Sequence, residues 1–263
     1  MCTLLLATGL WPEAPLVVAA NRDERLDRPA APPSLWLDGP LPLLAPRDLE
    51  AGGTWLGLNG AGVFAGLTNR FGKPPDRVRR SRGEIVVRAL EAPDALTAFA
   101  AMGALDPEAY NPFHLVVADR RGAGLVWSDG AALFADTLAP GVHFVTERSF
   151  GAAASGRHDL LSDGARALAA GPCPSQETLA GLLTTHADFG LDGVCVHLGG
   201  RPYGTRSSTL LWQGAAPDAD RLLYADGPPC RTPYEDLAPL VRALAAAGHP
   251  EPASALRSHQ EKP

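Results

Sequence analysis

Apolar and polar positions fall in blocks whose period changes along the chain. Residues 3–8 and 16–20 are short apolar runs on either side of a Gly/Pro-rich stretch, the pattern of two strands joined by a turn. Residues 54–59 and 63–69 repeat it, with Asn59-Gly60-Ala61-Gly62 as the turn. Between these pairs lie Pro29, Pro32, Pro33, Pro40, Pro42 and Pro46, and proline at this density predicts a surface loop. The period then becomes helical. Ile85, Val86, Ala89 and Leu90 share one face within 81–92, and Ala95, Leu96 and Phe99 continue the stripe within 93–102. Strands are predicted again at 113–118, 124–127, 132–135 and 143–146. Helices follow at 157–170 and 175–185, the second capped by Ser175. Strands at 194–198, 208–213 and 221–225 and a helix near 234–246 complete the set, and a polar, Pro-punctuated tail is expected over 249–263.

Clustered strands separated by helical blocks predict an α+β protein with antiparallel sheets and layered helices, not a doubly wound parallel sheet. No GxGxxG follows a strand and no phosphate-binding P-loop occurs. Without a repeat or an internal linker, residues 1–248 read as one domain.

Charge narrows the function. Lys+Arg is 23 against Asp+Glu 29, a net charge of −6, which argues against a nucleic-acid partner because such binding needs a phosphate-neutralising basic face. The one basic cluster, Arg77 to Arg82, reads as a solvated loop. The N-terminus is apolar but lacks a cationic leader region and is interrupted by Gly9 and Pro12, and no segment offers the ~18 apolar residues of a membrane span. A soluble, cytoplasmic protein is expected. Cys2, Cys173, Cys195 and Cys230 form no CxxC, and the histidines are scattered, so neither a disulfide framework, a metal site nor covalently attached haem is expected.

Cys2 has two readings: a small apolar residue opening a strand, or a nucleophile. A small second residue permits removal of Met1. Cys2 would then carry a thiol ionising near pH 8.5 beside an α-amine ionising near 7.7–8.0, a nucleophile and a base on one framework. Asn21-Arg22-Asp23-Glu24 emerges where the neighbouring apolar strand ends. Arg22 is placed to hold a thiolate or a substrate carboxylate and Asp23 to orient the terminal ammonium, although a turn with a surface ion pair has the same sequence. Asn69, ending a Gly-rich strand pair, is either a turn residue or an oxyanion donor.

Several motifs occur in one order: Cys2, Ala20-Asn21-Arg22-Asp23-Glu24 with Arg28-Pro29, Gly52-Gly53-Thr54-Trp55-Leu56-Gly57, Thr68-Asn69, Arg82-Gly83-Glu84, Tyr110-Asn111-Pro112-Phe113 and Tyr203-Gly204-Thr205-Arg206-Ser207-Ser208-Thr209. Together they resemble the NRDE family, also called the transport and Golgi organisation protein 2 family. That family is similar to the cysteine N-terminal-nucleophile hydrolases, such as penicillin V acylase and bile salt hydrolase. The resemblance implies a four-layer αββα sandwich and attack by Cys2 on an amide carbon. It makes Cys2, Arg22, Asp23 and Asn69 the expected catalytic residues, with Asn21, Glu24, Arg28, Trp55, Asn111, Glu147 and Arg206 around the substrate. Two positions depart from the hydrolase pattern. Ala20 stands where an arginine is usual, and Glu147 stands where both families favour asparagine. A lost oxyanion donor costs ~2.7–4 kcal/mol of transition-state stabilisation.

Three functions follow as expectations. The first is an amidohydrolase acting on a small acylated amine or amino acid, without a cofactor. The second is a carrier of haem or of an acyl-lipid or acyl-CoA ligand, with Arg22, Arg28 or Arg206 on propionates or phosphates and Trp36, Trp55 and Phe64 lining an apolar pocket. The third, a trafficking scaffold, rests on the family name alone. A hydrolase should open Cys2 to solvent, and a carrier should hold a larger apolar cavity.

Overall fold

A computed structural model describes residues 2–153, 155–187 and 190–248, so the tail expected over 249–263 lies outside the described residues. Strands β1 (Cys2–Trp11) and β2 (Ala14–Arg25) form an antiparallel hairpin whose register runs from Cys2↔Arg22 to Thr8↔Leu16. Residues 4–7 of β1 and 16–20 of β2 are apolar throughout because both faces are buried: Leu4, Leu6, Leu16 and Val18 enter one core, while Leu5, Ala7, Val17 and Ala19 enter another.

The proline-rich stretch corrects the expectation of a loop. It folds as β3 (Ala30–Trp36) and β4 (Leu43–Asp48). Pro32 and Pro33 fall in a break of the β3–β4 register between Ala31 and Ser34, and β3 is the outermost strand of its sheet. A strand in that position tolerates missing N–H donors.

The chain continues through β5 (Leu56–Asn59), β6 (Phe64–Asn69), α1 (Gly83–Leu90), α2 (Ala95–Met102), β7 (Phe113–Asp119), β8 (Gly122–Ser128), β9 (Leu133–Leu138) and β10 (Gly141–Thr146). It ends with α3 (Gly156–Ala170), α4 (Gln176–Leu183), β11 (Tyr203–Gln213), β12 (Arg221–Ala225), the two-residue β13 (Glu235–Asp236) and α5 (Ala238–Gly248). Ser175 caps α4 as expected, its hydroxyl accepting from the Thr178 N–H. The strand expected at 194–198 is only a bridge between His197 and Gly204, because the Val194 and Cys195 N–H groups both turn back to the Thr185 carbonyl.

Two antiparallel sheets result, ordered β10-β1-β2-β11-β12-β13 and β3-β4-β5-β6-β7-β8-β9. Leu4, Leu6, Val18, Leu58, Phe64, Val116 and Leu211 fill the space between them. Ile85, Val86, Ala89, Leu90 and Met102 press α1 and α2 onto the outer face of the second sheet. Leu161, Leu168, Leu179 and Leu183 press α3 and α4 onto the outer face of the first. The layers are therefore αββα, with α5 closing one side against β12 and β4. Among the described residues no helix is long and apolar enough to cross a membrane.

Candidate active site

Strand alternation sorts the chemistry at the open end of the first sheet. Cys2 and Arg22 are directly opposed across β1 and β2, on the face that turns toward the second sheet. The β11 register adds Ser207 opposite Arg22. Trp55 closes this group from the second sheet: the Arg22 guanidinium lies 4.0 Å above its ring. Trp55 is held by a tight backbone approach. Gly53 has φ 72°, and a Cβ there would lie 2.6 Å from the Gly83 carbonyl carbon, while the Thr54 N–H donates to the Gly83 carbonyl at the start of α1.

Arg22 is only 6% exposed, and its Nη1 is buried without a hydrogen-bond partner among the described residues. A guanidinium so placed has donor capacity left for an anion. Both Cys2 and Arg22 border a cleft of about 920 Å3, with Trp55, Asn69, Arg82 and Asn111 on its walls. Burial pushes the half-buried Cys2 thiol up, the Asp23 charge adds to that, and the Arg22 charge opposes it.

The opposite face of the same strands carries an ion network. Asp23 Oδ1 accepts from the Thr205 hydroxyl at 2.7 Å, and Oδ2 lies 3.1 Å from Arg157 Nη1. Arg157 Nη1 also donates to the Thr3 hydroxyl at 3.0 Å and lies 3.6 Å from Glu147 Oε2, and Nη2 donates to the Leu191 carbonyl at 2.7 Å. The Arg157 and Asp23 side chains have no solvent exposure. Burial pushes the Asp23 carboxyl up, opposed by the Arg157 charge and the Thr205 hydrogen bond. At the seam between the sheets, His114 Nε2 donates to the Ser149 carbonyl, which leaves Nδ1 to accept from the Thr68 hydroxyl. Burial is the main reason that its pKa falls to about 3, so His114 is neutral.

The structure gathers only part of the expected site around the thiol. Cys2, Arg22, Trp55 and Asn69 share the cleft; Asp23 reaches it from the strand whose carboxylate serves the buried network. Asn21 faces away, its Nδ2 donating to the Leu183 and Val194 carbonyls at 2.8 and 2.9 Å, so it fastens the chain after α4 onto β2. Arg28 lies on the cleft wall but is engaged by Asp48, with Nη2 2.6 Å from Oδ2, and Glu24 sits 4.0 Å from the same guanidinium. Asn111 exchanges two 2.8 Å hydrogen bonds with the Asp76 backbone and so fixes the loop before α1. Glu147 faces Arg157 and borders an adjoining hollow rather than the Cys2 cleft. Arg206 is the extra residue in the β11 register shift and pairs with Asp226 at 3.0 Å, away from the cleft.

Of the aromatics expected to line an apolar pocket, only Trp55 borders this cleft. Phe64 is core, and the Trp36 indole donates to the Ala45 carbonyl beneath Arg47. The basic cluster, read as a solvated loop, is an irregular, largely exposed segment and also forms one wall of the cleft. Arg77 and Arg80 are exposed there, while Arg79 and Arg82 are anchored on the carbonyls of Tyr110 and Pro112. Arg157, Thr3, Thr205 and Arg82 were not expected in the site. Arg157 had a signal: it precedes Leu161 by four residues and so lies on the buried stripe of α3.

The sequence model of the family described as Transport and Golgi organisation 2 matches residues 1–155. Transport and Golgi organization protein 2 homologs from Bos taurus and Homo sapiens are 36% and 35% identical over 107 residues, 40% of this chain. The match spans 38% of the length of either relative. Among solved structures, a Caenorhabditis elegans ortholog of N-acylethanolamine-hydrolyzing acid amidase superposes with a TM-score of 0.58 at 11% identity, covering 83% of this chain and 95% of that one. A mutant conjugated bile acid hydrolase from Clostridium perfringens gives 0.51 at 10% identity, covering 90% and 92%. With two antiparallel sheets between helical layers and a family match over more than half its length, the chain belongs to the Transport and Golgi organisation 2 family and has the fold of the N-terminal-nucleophile hydrolases.

Proposed function

We propose that the protein is an amidohydrolase in which Cys2 attacks the amide of a small acylated amine or amino acid bearing an anionic group. The observation that carries this reading is the pairing of Cys2 with Arg22, whose buried Nη1 has no hydrogen-bond partner among the described residues, at the floor of an open cleft. The names of the two superposed amidases favour the same chemistry without specifying this chain's substrate.

With Met1 removed, the α-amine of Cys2 takes the thiol proton. The thiolate attacks the amide carbon, and collapse of the tetrahedral adduct breaks the C–N bond as the ammonium returns the proton to the leaving amine. Water then attacks the thioester, giving its proton to the α-amine, and the acid departs as the thiol reforms. Asn69 is the oxyanion donor and Arg22 holds the substrate's anionic group. Arg157 and Arg148 both lie within 4 Å of the Glu147 carboxylate and offset its charge. The carrier reading is less well supported, since the walls at Cys2 are largely arginine, aspartate and glutamate side chains.

The test begins with intact mass and peptide mapping after a limiting thiol-reactive electrophile near neutral pH. Loss of Met1 with selective labelling of Cys2 over Cys173, Cys195 and Cys230 is expected, followed by amide turnover that Cys2→Ala abolishes. Retained Met1, or full turnover in Cys2→Ala, would sink the proposal.

A further inference from the structure

The first sheet carries a second group of reactive side chains, away from Cys2. His186 follows α4, Cys195 and His197 lie on the segment that returns toward β11, and Cys230 lies in the turn after β12. One ligand atom from each falls within 4.8 Å of all the others. Cys195 Sγ is 3.7 Å from Cys230 Sγ and 3.5 Å from His197 Nε2, and His197 Nε2 is 3.1 Å from Cys230 Sγ. The His186 and His197 rings meet edge to face with centroids 5.3 Å apart.

Zinc bound tetrahedrally at about 2.3 Å from sulfur and 2.0–2.1 Å from nitrogen requires donor atoms about 3.3–3.8 Å apart. Two of the three separations among Cys195, His197 and Cys230 fall in that range and the third is 0.2 Å below it, while the His186 ligand atom lies within 4.8 Å of the other three. We propose that His186, Cys195, His197 and Cys230 form a site of two cysteines and two histidines that holds one Zn2+. Two thiolates and two imidazoles satisfy zinc in charge and softness, and four protein ligands leave no open position, so the site is structural and takes no substrate. The sequence had argued against a metal because these residues have no regular spacing. Three separate chain segments supply the ligands, which spacing along one segment cannot reveal.

The location gives the metal a task. Val196, between two ligands, donates its N–H to the Thr205 hydroxyl at 2.8 Å and accepts the Thr205 N–H at 2.9 Å. That same hydroxyl donates to Asp23. The neighbouring Val194 carbonyl accepts from Asn21, and the Leu191 carbonyl accepts from Arg157. Zinc would therefore fasten the segment from which the buried network beneath Cys2 takes its backbone partners.

The native full-length chain, purified under reducing conditions without added metal, is expected to contain one zinc per chain by elemental analysis. After chelation, Co2+ is expected to give tetrahedral visible bands with a thiolate-to-cobalt charge-transfer band. Cys230→Ser and the exposed-ligand variant His186→Asn should each weaken zinc binding by more than the about 10–100-fold that loss of a supporting hydrogen bond costs. Chelation should speed amide exchange across 193–205 and leave α1 and α2 unchanged. Failure of the reduced chain to bind zinc below micromolar concentration, a Cys195–Cys230 disulfide in the native protein, or zinc retained by Cys230→Ser would each overturn the site. The cobalt spectrum needs no variant, so misfolding of either one does not obscure the answer.

Discussion

The two faces of the first sheet, at the end where Cys2 begins β1, are built on opposite principles. Toward the second sheet stand Cys2 and Arg22, with a cleft in front of them and a guanidinium nitrogen that has no hydrogen-bond partner among the described residues. Toward α3 stand Thr3, Asp23 and Arg157, enclosed and bonded to one another. Residues adjacent in sequence, Cys2 and Thr3 or Arg22 and Asp23, therefore belong to different environments, because each step along a strand reverses the face. The Asp23–Arg157 ion pair on one side ties β2 to α3; the cleft on the other leaves room for a ligand.

Breaking the enclosed face should have the largest effect. Arg157→Leu removes the cation that faces the fully buried Asp23 carboxylate and leaves Glu147 with Arg148 alone, and a loss of about 3–5 kcal/mol in denaturant unfolding is expected. Thr205→Val removes the hydroxyl that donates to Asp23 and accepts from Val196, and should cost about 1.5–3 kcal/mol in the same assay. An unchanged midpoint in either variant would mean that this face is not the support described.

Disturbing the open face should spare stability and change reactivity. Arg22→Gln removes a charge that lowers the Cys2 thiol pKa, so labelling of Cys2 at fixed neutral pH should slow by up to about tenfold. A rate equal to that of the parent protein would separate Arg22 from the thiol. The last effect is absent at neutral pH, develops only on acidification, and concerns the seam. His114 is neutral in the folded chain down to about pH 3, whereas the unfolded chain takes up its proton near pH 6.5. Stability from the neutral imidazole is thus complete above pH 6.5 and is lost as pH falls from there toward 3. His114→Gln should reduce the slope of stability against pH in that window by up to about one proton, measured by denaturant titrations at successive pH values.

Much of the architecture was legible because burial leaves a periodic trace. The apolar runs of β1 and β2, the stripe of α1 and the Ser175 cap all follow from local pattern. Pro32 and Pro33 misled because their effect depends on where a strand sits in its sheet, which is a tertiary property. The site divided in the same way. Cys2, Arg22 and Asp23 could be read from the end of one hairpin, where sequence neighbours are also spatial neighbours. Arg157 and Thr205 reach Asp23 from 134 and 182 residues further along the chain, and no local signal pairs them with it. Asn21 looked like part of the same polar run, yet its face of the strand commits it to the backbone after α4.

The proline pair in β3 has a consequence for the molecule among its neighbours. An outermost strand offers a row of N–H and C=O groups on which another chain can extend the sheet. Consecutive strand residues direct their N–H groups to opposite sides, so Pro32 and Pro33 together remove one donor facing inward and one facing outward. The accompanying register break bends the row between Ala31 and Ser34. This border of the second sheet is consequently a poor template for polymerisation, through two residues that lie outside the cleft at Cys2.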